Sequence, residues 1–411
     1  MAIPRRAADW LFRRKAAHVT VALVVAFSLI WVAGVLGAGP GLPFDTFLPG
    51  TRGDNGAPAP SGSTIRLNHI QVVGTHNSYH VESSPQLMAM IRQYLPPLAR
   101  AIEYTHLPLG KQFETERVRS VEIDVFADPR GGLYASPAGL ALTTGDPSRK
   151  IPELLAPGFK VFHVQDIDVE ATCRTFVACL RDIKAWSDAH PAHVPIAILV
   201  EAKDDSIPDP LAMGFVTPWK IGPAEFDALD AEIRSVFAPA NLITPDDVRG
   251  AHATLEEAVL QDGWPTLNSV RGRVLFLMVD GGTKRDDYRA GHPVLQGRVM
   301  FTNAQPGQPD AAFVKQDDAA RNFDTIKRLV AAGYIVRTRA DSDTEEARSG
   351  DTTNRDAALA SGAQFVSTDY PVPDPRFGTN YSVALPGGGA ARCNPVSAPP
   401  RCRDQDLEPA P

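Results

Sequence analysis

Basic residues are scarce where a nucleic-acid partner would need them. Lys and Arg number 41 against 48 Asp and Glu, a net charge of −7. No basic surface stands out beyond the first fifteen residues, which argues against a polyanion as partner. Cysteine is scarce too, four in 411 residues. Cys173 and Cys179 are spaced C-x5-C and Cys393 and Cys402 C-x8-C. Neither is a zinc spacing, and no paired histidines accompany them, so a zinc site is not expected. What is present is ordinary globular material: 44% hydrophobic and 22% charged residues, enough to bury a large core. The length would allow two or three domains, but α/β barrels use about 250 residues or more as one unit.

The N-terminus reads as an export segment. Arg5, Arg6, Arg13, Arg14 and Lys15 precede an apolar run from Ala16 to Ala38 that ends in small residues. The run is long enough to span a bilayer, and the preceding charge would keep the N-terminus inside. Residues 1–38 are therefore a signal peptide or a signal anchor, and the rest is secreted, periplasmic or tethered outside the membrane. An even set of cysteines suits an oxidising compartment. Three connectivities are open to four cysteines, and the local pairs Cys173–Cys179 and Cys393–Cys402 are expected.

Residues 39–65 are rich in Pro, Gly and Ser and form a linker. Beyond them, short β-branched runs predict strands at 69–74, 118–125, 159–163 and 196–201, then at 274–279, 298–301, 334–337 and 364–367. Helical patterns fall between them, near 85–104, 172–190, 223–236, 317–332 and 354–361. Alternation of this kind predicts an α/β fold with parallel strands, and eight strands fit a closed TIM-like (β/α)8 barrel over 66–376. The Pro/Gly-rich tail 377–411 is expected to be peripheral.

Four segments place polar, ligand-type residues at strand ends, the face where barrels of this type build active sites. His76 and Asn77 follow the first strand; in isolation such a pair is ordinarily a solvated turn. In Val121-Glu122-Ile123-Asp124-Val125 the two carboxylates share one face. Pointed into a barrel they would repel unless a cation lay between them; on an edge strand they would simply be wet. His163 ends the third predicted strand, where a lone histidine is ordinarily structural. Glu201 and Lys203 leave a run of five apolar residues on one face, the alternative being a surface ion pair. Taken together, Asn77, Glu122, Asp124 and Glu201 are hard oxygen ligands suited to Ca2+, with Mg2+ less well matched.

The pattern His-Asn, Glu-x-Asp, His, Glu-x-Lys resembles the calcium-dependent phosphoinositide-specific phospholipase C family, in its single-barrel bacterial form. The resemblance runs over residues 67–373 and rests on GTHNSY, SVEIDVF, VFHVQD and ILVEAKDD. It implies a phosphoric diester hydrolase in which His76 and His163 are catalytic and Asn77, Glu122, Asp124 and Glu201 hold calcium. Segments 336–341 and 366–371 resemble, more loosely, the ends of the seventh and eighth strands in the wider phosphodiesterase superfamily. Lys203, Arg337 and Arg339 are candidates for phosphate or inositol contacts, with structural ion pairs an equal alternative for the two arginines. The implied substrate is phosphatidylinositol at a membrane surface, with no nucleic acid and no protein partner.

The implied reaction is attack of the inositol 2-hydroxyl on phosphorus, giving diacylglycerol and a cyclic inositol phosphate. His163 would protonate the leaving oxygen, and which histidine is acid and which base stays open. A glycerophosphodiesterase or a sphingomyelinase-D-like phosphodiesterase is the nearest rival. Glycerophosphodiesterases carry Arg after the first histidine, however, where this chain has Asn77. An inactive barrel serving as a lipid- or sugar-binding surface module would be marked by loss of a histidine or carboxylate, and none is lost.

Overall fold

The computed structural model describes residues 64–209 and 212–408. The expected export segment and nearly all of the linker lie outside them. Among the described residues no helix is long and apolar enough to cross a membrane.

Among the described residues there are ten strands: β1 (Ile70–Thr75), β2 (Ser120–Val125), β3 (Ile196–Ala202), β4 (Leu242–Ile243), β5 (Val274–Met278), β6 (Met300–Thr302), β7 (Phe313–Lys315), β8 (Ile335–Arg339), β9 (Phe365–Thr368) and β10 (Arg392–Cys393). Parallel ladders run β5-β3-β2-β1-β9-β8-β7, and β6 pairs with the other edge of β5. A parallel bridge from Asn303 to Phe313 joins β6 to β7, so eight strands close on themselves as an α/β barrel. The short β4 lies along the start of β5.

These strands form because they are apolar on both faces. Ile196, Ala197, Ile198, Leu199 and Val200 are all buried, as a parallel strand between barrel interior and outer helices must be. Each large side chain so enclosed contributes roughly 1.5–3 kcal/mol. The outer layer includes helices Pro85–Tyr94, Phe176–Ala189, Pro223–Val236, Ala319–Ala332 and Thr353–Ser361, one for each helical pattern in the sequence.

Two expectations need correction. Residues 159–163 are not a barrel strand, because β2 pairs directly with β3 from Ser120↔Ala197 to Val125↔Ala202. No slot is left between them. Lys160 instead makes isolated antiparallel bridges to Phe126 and Thr175. The missing eighth strand is β7, three residues long and reached from β6 without an intervening helix. The tail is not peripheral either. Tyr381, Val383, Leu385 and Leu407 are buried in the main core, β10 pairs antiparallel with β1, and the Glu408 carboxylate accepts from the buried Arg119 guanidinium. Both expected disulfides are present, Cys173–Cys179 and Cys393–Cys402.

Candidate active site

The parallel register of β2 and β3 sets Asp124 opposite Glu201. Glu122 lies one pleat earlier on the same face, and Val121, Ile123 and Val125 fill the other side. One oxygen from each of Glu122, Asp124 and Glu201 falls within 4.8 Å of the others. Both Asp124 oxygens are buried without a hydrogen-bond partner. Lys203 Nζ sits 2.9 Å from Glu201 and 3.4 Å from Asp124. Burial pushes the Asp124 carboxyl well above its ordinary range against the pull of Lys203, with Glu201 and Glu122 adding repulsion. Burial would also raise Glu201, but Lys203 and then Lys315 outweigh it and hold it low.

A fourth oxygen comes from the turn after β1. Asn77 adopts φ +43°, a left-handed conformation that Asn tolerates better than most residues. Its Nδ2 donates to the Tyr104 hydroxyl at 3.1 Å, leaving Oδ1 buried and unpartnered. The turn is fixed to β2 from both sides: Ser78 N donates to the Glu122 carbonyl at 2.9 Å, and Glu122 N to Ser78 Oγ at 2.8 Å. Just before it, β1 and β2 approach so closely that a Cβ on Gly74 would meet Ser120 Cβ at 2.5 Å. Unpartnered buried oxygens are costly. Asn77 Oδ1, the two Asp124 oxygens and the adjoining carboxylates of Glu122 and Glu201 fit a hard divalent cation of the Ca2+ type.

The two candidate histidines stand on separate carboxylates. His76 Nδ1 donates to Asp369 Oδ1 at 2.8 Å. Its Nε2 is 3.4 Å from Arg339 Nη1 and 3.9 Å from Glu122 Oε1. Arg only donates, so Nε2 presents its lone pair. Burial and then Arg339 hold His76 well below its usual value, which keeps the ring neutral. Asp369 Oδ2 also accepts from Arg339 Nη2 at 3.0 Å.

His163 does not end a barrel strand. It lies in the loop that bridges the end of β2 to helix Phe176–Ala189, and Cys173–Cys179 staples that loop to the helix's first turn. A tight turn, with Val164 N donating to the Asp168 carbonyl at 3.1 Å and Asp168 N to Val164 at 2.9 Å, brings Asp168 beside it. His163 Nδ1 donates to Asp168 Oδ2 at 2.9 Å.

All three cationic candidates reach the site. Lys203 stands among the carboxylates. Arg339 links His76 and Asp369. Arg337 is buried beneath, its Nη2 2.5 Å from Glu122 Oε2 and its Nη1 2.7 Å from Asp317 Oδ1. The structure thus gives Arg337 an ion-pair network of the kind left open by the sequence.

Asp369, Asp168, His80 and Tyr104 were missed as site residues. Asp168 is five positions after His163, and Asp369 ends β9, a strand end already singled out. No local pattern distinguishes His80 or Tyr104. A cleft of about 820 Å3, lined by Trp186, His190 and Glu408 among others, shares no residue with this site. It includes Arg119, next to the start of β2, and so lies at the opposite end of the strands.

A family model described as Phosphoinositide phospholipase C, Ca2+-dependent, matches residues 65–395. No curated protein sequence matches. Among solved structures, a calcium-dependent phosphoinositol-specific phospholipase C from a Gram-negative Pseudomonas sp. is 18% identical, with a TM-score of 0.48 over 82% of this chain and 97% of that one. A Ca2+-dependent phosphatidylinositol-specific phospholipase C from Streptomyces antibioticus is 20% identical, with a TM-score of 0.45 over 76% and 97%. A glycerophosphoryl diester phosphodiesterase from Parabacteroides distasonis is 12% identical, with a TM-score of 0.28 over 74% and 84%.

Proposed function

The chain belongs to the Ca2+-dependent phosphoinositide phospholipase C family, and from that membership we propose that it cleaves phosphatidylinositol to diacylglycerol and a cyclic inositol phosphate. The observation that carries the reading is the set of buried oxygens without a hydrogen-bond partner, Asp124 Oδ1 and Oδ2 and Asn77 Oδ1, beside Glu122 and Glu201. These four residues would hold the calcium. Bound there, it would supply Lewis-acid polarisation of the phosphodiester and stabilise charge on the phosphoryl oxygens.

The protein's own groups account for the proton movements. The inositol 2-hydroxyl oxygen forms the new bond to phosphorus while the diacylglycerol oxygen leaves. His76, neutral and with Nε2 left unprotonated because Nδ1 carries the proton toward Asp369, takes the hydroxyl proton as the substrate displaces the 3.4 Å contact from Arg339 Nη1. His163, oriented through Nδ1 by Asp168, gives its Nε2 proton to the leaving oxygen. Imidazoles suit both tasks because one ring nitrogen can take or give a proton while the other holds the ring in place. Arg339 and Lys203 offer positive charge to the phosphate. The basic and apolar N-terminal segment supports export, with the lipid met at a membrane surface.

Hydrolysis of phosphatidylinositol, followed by phosphorus NMR with calcium and with chelator, tests this. Calcium-dependent release of a cyclic inositol phosphate, lost in His76→Ala and His163→Ala, is expected. Cleavage of glycerophosphodiesters alone would overturn the substrate and the nucleophile.

A further inference from the structure

His80 has no part in the chemistry above, yet it is fully buried beside it. Its Nδ1 lies 3.1 Å from the Tyr104 carbonyl oxygen and its Nε2 2.9 Å from Asp168 Oδ2. A carbonyl oxygen and a carboxylate oxygen both accept, so both ring nitrogens must donate and the ring carries two protons. Asp168 Oδ2 also takes His163 Nδ1 at 2.9 Å, and Oδ1 takes Ser83 Oγ at 3.3 Å. Two imidazoles therefore share one carboxylate oxygen, with ring centroids 5.9 Å apart and planes at 90°.

We propose that His80 is a positioning residue, held as a buried imidazolium, which pins Asp168 and offsets its charge so that His163 can release and regain its proton. A buried carboxylate with no other counter-charge would favour the charged form of His163 and resist release of its proton. With His80 already paired to Asp168, His163 faces a neutral pair instead of an anion. The dyad keeps its orientation and loses its excess pull. Burial alone would lower His80, but the charge and hydrogen bond of Asp168 outweigh it and raise the ring above its ordinary value. Burial likewise opposes ionisation of Asp168, and His80 together with the hydrogen bond from His163 overrides it, holding Asp168 well below the carboxylate range.

The titratable groups facing His80 are Asp168, the Tyr104 ring (tilted by 36°, centroids 4.4 Å apart), His106, His163 and Asp369. Those facing His163 are Asp168, His80, His76 and Asp369. Among the described residues, only Asp168 lies in hydrogen-bond contact with both rings. The acid role of His163 rests on the function proposed above; the double protonation of His80 does not.

Histidine-selective 15N NMR on the full chain with calcium tests both parts. In the parent, both His80 nitrogens are expected to be protonated at neutral pH, because each faces an acceptor. His80→Gln keeps an amide donor for Asp168 but removes the charge. The His163 ring should then stay protonated to higher pH, and the basic limb of the kcat profile on phosphatidylinositol should move the same way. At neutral pH kcat should fall about tenfold with KM unchanged. His80→Phe, which lacks the donor as well, should lose more. A His80 that carries a single proton in the parent overturns the proposal even if no variant folds. So does His80→Gln with the His163 titration unmoved, or a His80→Phe that behaves like His80→Gln. If the parent does not cleave phosphatidylinositol, the proposed function fails, and the two NMR titrations still decide the role of His80.

Discussion

Asp124 on β2 and Glu201 on β3 are direct partners in a parallel ladder, and Asp124 has neither oxygen hydrogen-bonded. Two carboxylates side by side in a barrel interior repel, and they are tolerable only with positive charge between them. Lys203 supplies part of it, and the remainder matches a divalent cation.

Calcium should therefore stabilise the folded protein whether or not substrate is present. At about one hundred times its dissociation constant the gain is about 2.7 kcal/mol. Asp124→Asn should abolish that gain and, in chelator, melt above the parent because one buried repulsion is gone. Differential scanning calorimetry with calcium and with chelator checks both signs. Equal calcium shifts in parent and variant would remove Asp124 from the cation site.

Asp369 orients His76 and holds Arg339 at once. Asp369→Asn keeps the shape but lets the amide donate where the carboxylate accepted. A loss of kcat of about a hundredfold or more, with KM little changed, is expected from steady-state kinetics. A variant as active as the parent would show that His76 needs no oriented tautomer.

Gly74 sits where β1 touches β2. The Cβ introduced by Gly74→Ala would lie 2.5 Å from Ser120 Cβ and 2.7 Å from its backbone oxygen. Backbone cannot move aside cheaply, so the strands must part just before His76 and Asn77. A stability loss of about 1–3 kcal/mol is expected from urea melts, together with weakened calcium binding.

His106 donates Nε2–H to the His76 carbonyl at 2.9 Å, and burial lowers its pKa from 6.5 to about 4. A folded-state value below the unfolded one means the contribution is whole above pH 6.5 and lost as pH falls through about 4. Over that window the loss is on the order of 3 kcal/mol. His106→Gln can donate the same bond without titrating, so its stability should fall less between those pH values. Parallel melting curves for parent and variant check the slope.

Arg337 neutralises Glu122 and Asp317 under the site. Arg337→Met removes the close counter-charge of the buried Glu122 and leaves Asp317 only Lys315 at 3.7 Å, and a loss of about 3 kcal/mol is expected. If the variant instead folds as stably as the parent and only KM rises, Arg337 touches substrate.

The clustering of Glu122, Asp124, Glu201 and Lys203 was largely legible in the sequence because a β-strand alternates its side chains. Glu-x-Asp and Glu-x-Lys each put two charged groups on one face, and an apolar frame around them shows that the face is enclosed. Five of the helical patterns and most of the strands were readable from the same periodicities. The strand ends at Arg339 and Asp369 also fell where the seventh and eighth strands were expected. The failures have a common cause. Residues 159–163 and 313–315 are both short, mixed runs with two or three apolar residues, and which one enters a barrel depends on whether two other strands leave a gap for it.

The sequence by itself determined which charged residues share a strand face and the local disulfides, since these follow from neighbours a few positions apart. Only the tertiary structure decided that Asp124 meets Glu201, that Asp369 rather than a nearer carboxylate holds His76, and that His80 and His163 share Asp168. Those pairings join residues up to 293 positions apart. They arise from strand register and barrel closure, which are properties of the assembled sheet and of no segment within it.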